Sequence, residues 1–388
     1  MIIYKILNKP ININKIYNIR KLNISPHPTG YPSGYPTGWG IYLISPTRRV
    51  GGLNKSLNRY KLLHLNNHNY LPNNSIFNNT FNKGQINFNE WLVGFTDGDG
   101  CFNIYINKDD NKIIFTYKLS QNVYNKQLLY KIKNNLGVGR IVIDKYMCSY
   151  VITRKDHIID IILPIFDKYP LLSSKYNRYN LFKKSILIYN DNNILLKDKI
   201  KMIKLLKLKT VNLYNQSPAW NNYPHKDKMS QISSITSLEG NNYNLNNIMS
   251  KSWLTGFIEA EGSFYITKKD KNRLVHAFGL TQNLDPIILY SIKSILHINS
   301  SVKFNSYLTN YNNNNNNFYS LDVTNSRNIE NIINYFITKD HTILFLGMKN
   351  LEFSIWKRSY FKYKGNYIKL IKIRDLIRKI KIKIKSIT

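Results

Sequence analysis

Asp97 and Asp99 close the segment Trp91-Leu92-Val93-Gly94-Phe95-Thr96-Asp97-Gly98-Asp99-Gly100. Glu259 and Glu261 close a near-copy, Trp253-Leu254-Thr255-Gly256-Phe257-Ile258-Glu259-Ala260-Glu261-Gly262. Carboxylates are hard oxygen donors, and a pair brought together holds a divalent cation. With phosphate as a co-ligand, that cation is Mg2+. Such an ion activates water and stabilises the leaving oxygen in phosphodiester hydrolysis. A single copy would read as solvated acids at a helix end. Two copies, with Trp, Leu, Gly, Phe, two acids and Gly in register, argue for a shared site. Asp97-Gly98-Asp99-Gly100 does not fit an EF-hand loop, which wants a ligand where Cys101 stands and a glycine where Phe102 stands.

Positioning two carboxylates requires rigid elements. Gly94 and Gly98 are four apart, as are Gly256 and Ala260, so on helices each pair lies on one face. Small side chains there let two backbones come close. The two motif helices are therefore expected to form the seam between two halves and to deliver Asp99 and Glu261 side by side. The partial negative charge of each helix C-terminus adds to the attraction for a cation.

The surrounding pattern repeats as well. Asn87 or Asn89 suits the start of the first helix. Phe102, Ile104 and Ile106 alternate with Asn103, Tyr105 and Asn107, which predicts a half-buried strand. Asp110-Asn111 reads as a turn into a return strand over 113–121, followed by a helix over 126–136. A second hairpin is expected at 140–144 and 149–153, then a helix over 157–166. The second copy predicts a helix over 252–260, strands at 263–268 and 273–282, and a helix opened by Asp285 as cap and Pro286 at its first position. Strands at 302–304 and 318–323 flank a pure Asn tract, Asn312 to Asn317, read as a flexible loop. A helix over 328–336 ends the copy. The order α-β-β-α-β-β-α occurs twice.

These assignments predict five segments: an irregular basic extension over 1–85, a first repeat over 86–205, a polar linker over 206–247, a second repeat over 248–365 and a basic amphipathic tail over 366–388. Residues 1–85 contain no acid at all. They are as basic as a transit peptide but rich in Asn and poor in Arg. In the tail, Leu370, Ile373, Ile377 and Ile380 share a helical face with basic residues interleaved. A packed helix, a nucleic-acid contact and a membrane-surface helix all fit that pattern.

Across 388 residues, 56 Lys and Arg face 22 Asp and Glu, a formal net charge of +34. That excess favours a polyanion, nucleic acid first. No apolar run approaches the roughly 18 residues of a spanning helix. Cys101 and Cys148 stand alone, with no zinc spacing. Asn, Ile, Lys and Tyr are abundant while Ala219, Ala260 and Ala277 are the only alanines. That bias points to an A/T-rich genome such as a fungal mitochondrial one.

Leu92 to Gly100 and Leu254 to Gly262 both resemble the nine-residue signature of LAGLIDADG homing endonucleases, and their separation suits a single-chain, two-repeat member. The resemblance implies an α+β fold of two pseudo-symmetric αββαββα repeats. Each carries an antiparallel, saddle-shaped sheet, and the two pack through the motif helices. It implies a monomer that cuts both strands of a specific double-stranded DNA site with Mg2+, promoting intron mobility. Asp99 and Glu261 would bind the metal, Glu261 being a departure from the usual Asp. Gln121 and Gln282 match a glutamine that orders the catalytic water network. Lys175 and Lys349 match a lysine near the cleaved phosphate. Asn103, Tyr105, Asn107, Ser263, Tyr265 and Thr267 would face the DNA and read bases or phosphates. Some members act instead as maturases for their own group I intron RNA, and that alternative, or both activities together, fits the same basic chain. With either role, the A/T-rich composition makes a mitochondrial location the expectation.

Overall fold

The computed structural model describes residues 86–107, 112–210, 216–221, 223, 245–308 and 315–386. The extension over 1–85 and the turn at Asp110-Asn111 lie outside them, as does most of 206–247.

Helix α1 (Phe88–Asp99) begins at Asn87, whose side-chain oxygen accepts from the Asn89 and Glu90 backbone N–H groups at 2.9 and 3.1 Å. Helix α6 (Lys251–Glu261) begins at Ser250, whose hydroxyl accepts from the Trp253 N–H at 3.1 Å. Residues 91–97 of α1 and 252–259 of α6 are all buried, because the two helices pack on each other. Their crossing is backbone on backbone. A Cβ added to Gly94 would fall well inside the radius of the Trp253 carbonyl oxygen, and one on Gly256 inside that of Trp91. One turn further on, a Cβ on Gly98 would collide with that of Ala260. Trp91 stacks on Phe95 at 5.1 Å and Trp253 on Phe257 at 5.0 Å, so each helix carries a bulky aromatic i, i+4 pair beside its small residues.

Each helix feeds directly into an antiparallel sheet. The first contains β1 (Gly100–Ile106), β2 (Ile113–Asn122), β3 (Arg140–Ile143) and β4 (Met147–Ile152), in the order β1-β2-β4-β3. The second contains β5 (Ser263–Asp270), β6 (Arg273–Gln282), β7 (Lys303–Leu308) and β8 (Asn315–Val323), in the order β5-β6-β8-β7. Period-2 alternation sets their faces. Phe102↔Tyr117 and Ile104↔Phe115 point inward, while Asn103↔Thr116 and Tyr105↔Ile114 point outward. Under the first sheet, Phe102 meets Tyr117, Phe166, Tyr179 and Phe182. Under the second, Phe264 meets Phe278, Phe345, Phe353 and Trp356.

Helix α2 (Lys126–Leu136) and a helical run over 155–168, here α3, complete the first repeat. The middle of α3, Ile158–Ile162, is a π turn just before Pro164, whose missing N–H interrupts a regular ladder. Helices α4 (Lys175–Asn190) and α5 (Leu196–Thr210) follow. The second repeat has α7 (Pro286–Ile295), α8 (Ser326–Tyr335), α9 (Met348–Tyr363) and α10 (Tyr367–Ser386). The expected α-β-β-α-β-β-α order is thus present twice, with two further helices after each copy. Helices α4 and α9 supply Tyr179, Phe182, Phe353 and Trp356 to the cores.

Two local expectations change, and the reading of the tail narrows to one of its alternatives. Asn315 to Asn317 are not loop but strand, paired with Leu308, Tyr307 and Ser306, since backbone pairing does not require apolar side chains. The predicted linker carries core residues where it is described. Trp220 is fully buried and donates from its indole N–H to the Leu172 carbonyl at 2.8 Å, and Tyr223 is buried beside it. In the tail, Leu370, Ile373 and Ile377 are buried, so the apolar face of α10 packs on the protein. Among the described residues no helix is long and apolar enough to cross a membrane.

The seam leaves no room for a side chain at Gly94. Gly94→Ala must push apart two backbones, costing at least the ~1–3 kcal/mol of ordinary overpacking. Thermal unfolding should show a midpoint lowered by several degrees, and an unchanged midpoint would contradict this packing.

Candidate active site

Asp99 is the last residue of α1 and Glu261 the last of α6. The close crossing brings them to one level. A Cβ on Gly98 would stand 3.1 Å from Glu261 Cγ, so the Glu261 side chain lies over the residue next to Asp99. Two lysines close the site from the starts of α4 and α9. Lys175 Nζ donates to the carbonyls of Thr96, at 3.1 Å, and Gly98. Lys349 Nζ donates to the carbonyl of Gly262. Each lysine therefore neutralises the negative end of a motif helix. Gln121, near the end of β2, donates from Nε2 to Asp99 Oδ2.

The electrostatics join the two repeats. Burial pushes the Asp99 carboxyl above its ordinary range, while Lys175, the Gln121 hydrogen bond and Lys349 pull it back. Burial and the neighbouring Asp99 push Glu261 up, and both lysines oppose them. Burial pushes the Lys175 ammonium down, against Asp97, Glu261 and Asp99. Each carboxylate thus feels lysines from both halves, and a partly buried acid pair of this kind favours a cation between its members.

The sequence-predicted residues divide into two sets. Asp99, Glu261, Gln121, Lys175 and Lys349 converge. Gln282 stands at the matching place at the end of β6, opposite Tyr319, but makes no hydrogen bond to Glu261. Asn103, Tyr105 and Ser263 are exposed and Asn107, Tyr265 and Thr267 half-buried. They belong to the outward sheet faces, apart from the acid pair. The Tyr265 hydroxyl is already held, donating to Asp322 Oδ1 at 3.0 Å.

The other two signature acids are anchors. Asp97 Oδ2 accepts from the Leu172 N–H at 2.8 Å and from the Trp253 indole N–H of the opposite repeat at 3.0 Å. Its Oδ1 accepts from the Ser173 N–H at 3.1 Å and from the Ser173 hydroxyl. Glu259 accepts from the Leu346 N–H at 2.7 Å and the Gly347 N–H at 3.1 Å. Both acids hold the loop just before a lysine-bearing helix. Burial pushes Asp97 up to about 6 and Glu259 up to about 7, against those hydrogen bonds.

Sequence reasoning missed Asn125 and Asp285. Both stand at the N-cap of a helix, α2 and α7, yet neither caps it through its side chain. Asp285 was expected to cap the helix opened by Pro286. Instead it adopts a left-handed φ of 64° and accepts at Oδ2 from the Ser174 N–H and hydroxyl, at 2.9 and 2.8 Å, across the seam. Asn125 Oδ1 likewise accepts from the Met348 N–H at 2.9 Å. The available signal was a short polar residue preceding α2 and α7 alike, and a cap is the local reading of that signal.

An α+β fold built on two pseudo-symmetric repeats, with one acid pair at the junction of their motif helices, defines a class. The model of the LAGLIDADG endonuclease family matches residues 92–186 and 254–360. The "Probable intron-encoded endonuclease Cox1-I1b" of Schizosaccharomyces pombe is 38% identical over 308 residues, which cover 76% of this chain and 70% of that protein. The "Probable intron-encoded endonuclease aI3" of Debaryomyces hansenii is 28% identical over 293 residues, 68% of this chain and 38% of that one. Among solved structures, the LAGLIDADG homing endonuclease I-GzeII in complex with its DNA target is 25% identical, with a TM-score of 0.54, covering 75% of this chain and 98% of that chain. I-SmaMI bound to cleaved DNA shares the fold at 21% identity and a TM-score of 0.55, covering 75% and 96%. The chain belongs to the LAGLIDADG endonuclease family.

Asp99 and Glu261 are the residues able to hold a divalent cation here. Among the described residues no cluster of three or more His, Cys, Asp or Glu forms a ready-made cage. A pair of carboxylates fits Mg2+, which binds through one or two carboxylates and completes its shell with water and substrate phosphate.

Glu259 sets a pH dependence of stability. Its folded value of about 7 lies above the model-peptide 4.5, so its contribution is fully present below 4.5 and is lost as pH rises through 7. The stability advantage of the wild type over Glu259→Gln, measured by denaturant titration, should shrink from pH 5 to pH 8. A constant or growing advantage would contradict a protonated, buried Glu259.

Proposed function

We propose that this chain is a site-specific, Mg2+-dependent homing endonuclease that acts as a monomer on double-stranded DNA in mitochondria and promotes mobility of its intron. One observation carries the reading: the acids that end α1 and α6 share a site flanked by a lysine from each repeat. A bound divalent cation would supply Lewis acidity and an activated water at the scissile phosphate.

The chain's own residues account for the rest. Asp99 and Glu261 hold the cation between the two halves. Lys175 and Lys349, tied to carbonyls at the helix ends, offer fixed positive charge to the phosphate as negative charge develops on it. Gln121 donates to Asp99 and fixes which oxygen remains open to a ligand. The outward residues Asn103, Tyr105, Asn107, Ser263, Tyr265 and Thr267 line faces suited to groove contacts, Asn for adenine and Tyr for phosphate. The net charge of +34 attracts the polyanion and makes binding steeply salt-dependent. Relatives carrying intron-encoded names support mobility as the role, and the A/T-biased composition supports a mitochondrial gene. Group I intron RNA is a second polyanion for the exposed basic surfaces, such as Lys369, Lys372, Arg378 and Lys379 on α10.

Asp99→Asn and Glu261→Gln should each lower cleavage of the intronless target by at least ~100-fold, with binding to the duplex and to intron RNA changed by no more than about twofold. End-labelled duplex assays with Mg2+ read the first effect and gel-shift titrations the second. Full cleavage by either variant sinks the assignment.

A further inference from the structure

The two halves of the site are not equivalent, and one residue accounts for the difference. In the first repeat a chain of hydrogen bonds crosses the seam. The Met348 N–H, one residue before Lys349, donates to Asn125 Oδ1 at 2.9 Å. Asn125 Nδ2 donates to Gln121 Oε1 at 2.7 Å, and Gln121 Nε2 donates to Asp99 Oδ2. Asn125 is buried, so both ends of its amide depend on these partners. By engaging the Gln121 oxygen, it leaves only the Gln121 N–H group to face Asp99. A glutamine turned the other way would set its oxygen against the carboxylate.

The second repeat cannot build this chain. Its counterpart, Asp285, is also buried and also grips the helix that carries the opposite lysine, through the Ser174 N–H next to Lys175. A carboxylate, however, has no N–H to give Gln282. The connection is also one residue shorter, with three positions from Gln282 to Asp285 against four from Gln121 to Asn125. The left-handed φ of Asp285 accommodates that shortening. Gln282 accordingly makes no bond to Glu261, and the Glu261 half lacks the donor that orders the Asp99 half.

We propose that Asn125 is a positioning residue that orients Gln121 on Asp99 and ties that carboxylate to the start of the Lys349 helix, so that the two DNA strands are cut at unequal rates and the faster cut depends on Asn125. The proposal rests on the endonuclease reading above. It names a residue that acts on Asp99 through Gln121 and on the Lys349 helix through the Met348 N–H.

Asn125→Asp keeps the acceptor for the Met348 N–H and removes the donor to Gln121. With both strands of a target duplex end-labelled, the wild type should nick one strand first. Asn125→Asp should slow that strand by about 10- to 100-fold, the range seen when partners that orient metal ligands are removed, and leave the other strand near its wild-type rate. Asn125→Ala should slow the same strand. General destabilisation would lower both strands together, so equal slowing overturns the proposal, as does a wild type that cuts both strands at one rate. A crystal structure of the Asn125→Asp protein gives a readout independent of cleavage. Gln121 should be withdrawn from Asp99 toward the new carboxylate, and an undisturbed Gln121–Asp99 contact contradicts the proposal. A wild type that cuts no target duplex at all, while Gln121 still shifts in that structure, would instead place the failure in the endonuclease reading.

Discussion

Everything in this protein depends on how closely two helices can approach. At Gly94 and Gly256 the backbones of α1 and α6 touch, each glycine lying against the other helix's tryptophan carbonyl. Substituting either glycine would cost packing, but the larger consequence is positional. At that separation Asp99 and Glu261 end at one level, and two carboxylates that would be ordinary on separate helices become one site. The small residues and the acids of each signature therefore serve one end. The first brings the helices together and the second uses the proximity.

Proximity of like charges is unfavourable, and the fold offsets it locally. Lys175 and Lys349 bind the carbonyls at the helix ends and pull both acids back toward ionisation. Their own positions are set by Asp97 and Glu259, which hold the preceding loops. Contacts across the seam complete the arrangement. Asp285 grips the start of the Lys175 helix, Asn125 that of the Lys349 helix, and the Trp253 indole reaches Asp97. A lysine of one repeat is thus positioned partly by the other, and each half of the site draws on both repeats.

Much of this was legible in the sequence, for local reasons. Alternation at Phe102, Ile104 and Ile106 predicts a strand because period-2 burial is a property of the strand itself. The duplicated motif predicts two helices in contact because small residues four apart have few other uses on an apolar face. The parts that were not legible depend on distant partners. Asp285 reads as a helix cap, since a short polar residue before a helix ordinarily bonds to it, and Asn125 carries no distinguishing signal; only the folded seam offers the opposing N–H groups that both accept from. Trp220 sits in a polar stretch, and its burial requires the Leu171-Leu172 loop to be in place. Asn315 to Asn317 pair as strand because β7 is beside them, which no propensity of asparagine announces. Glu259 and Asp97 look no different from Glu261 and Asp99 until the loops they bind are known.

The central claim is that the helix crossing makes one cation site from Asp99 and Glu261. Crystals of the full chain with its DNA target and Mn2+ test it through anomalous scattering. The account predicts metal density in contact with both carboxylates, with the phosphate oxygens completing the shell. Metal bound elsewhere, or held by one acid while the other faces away, would contradict it.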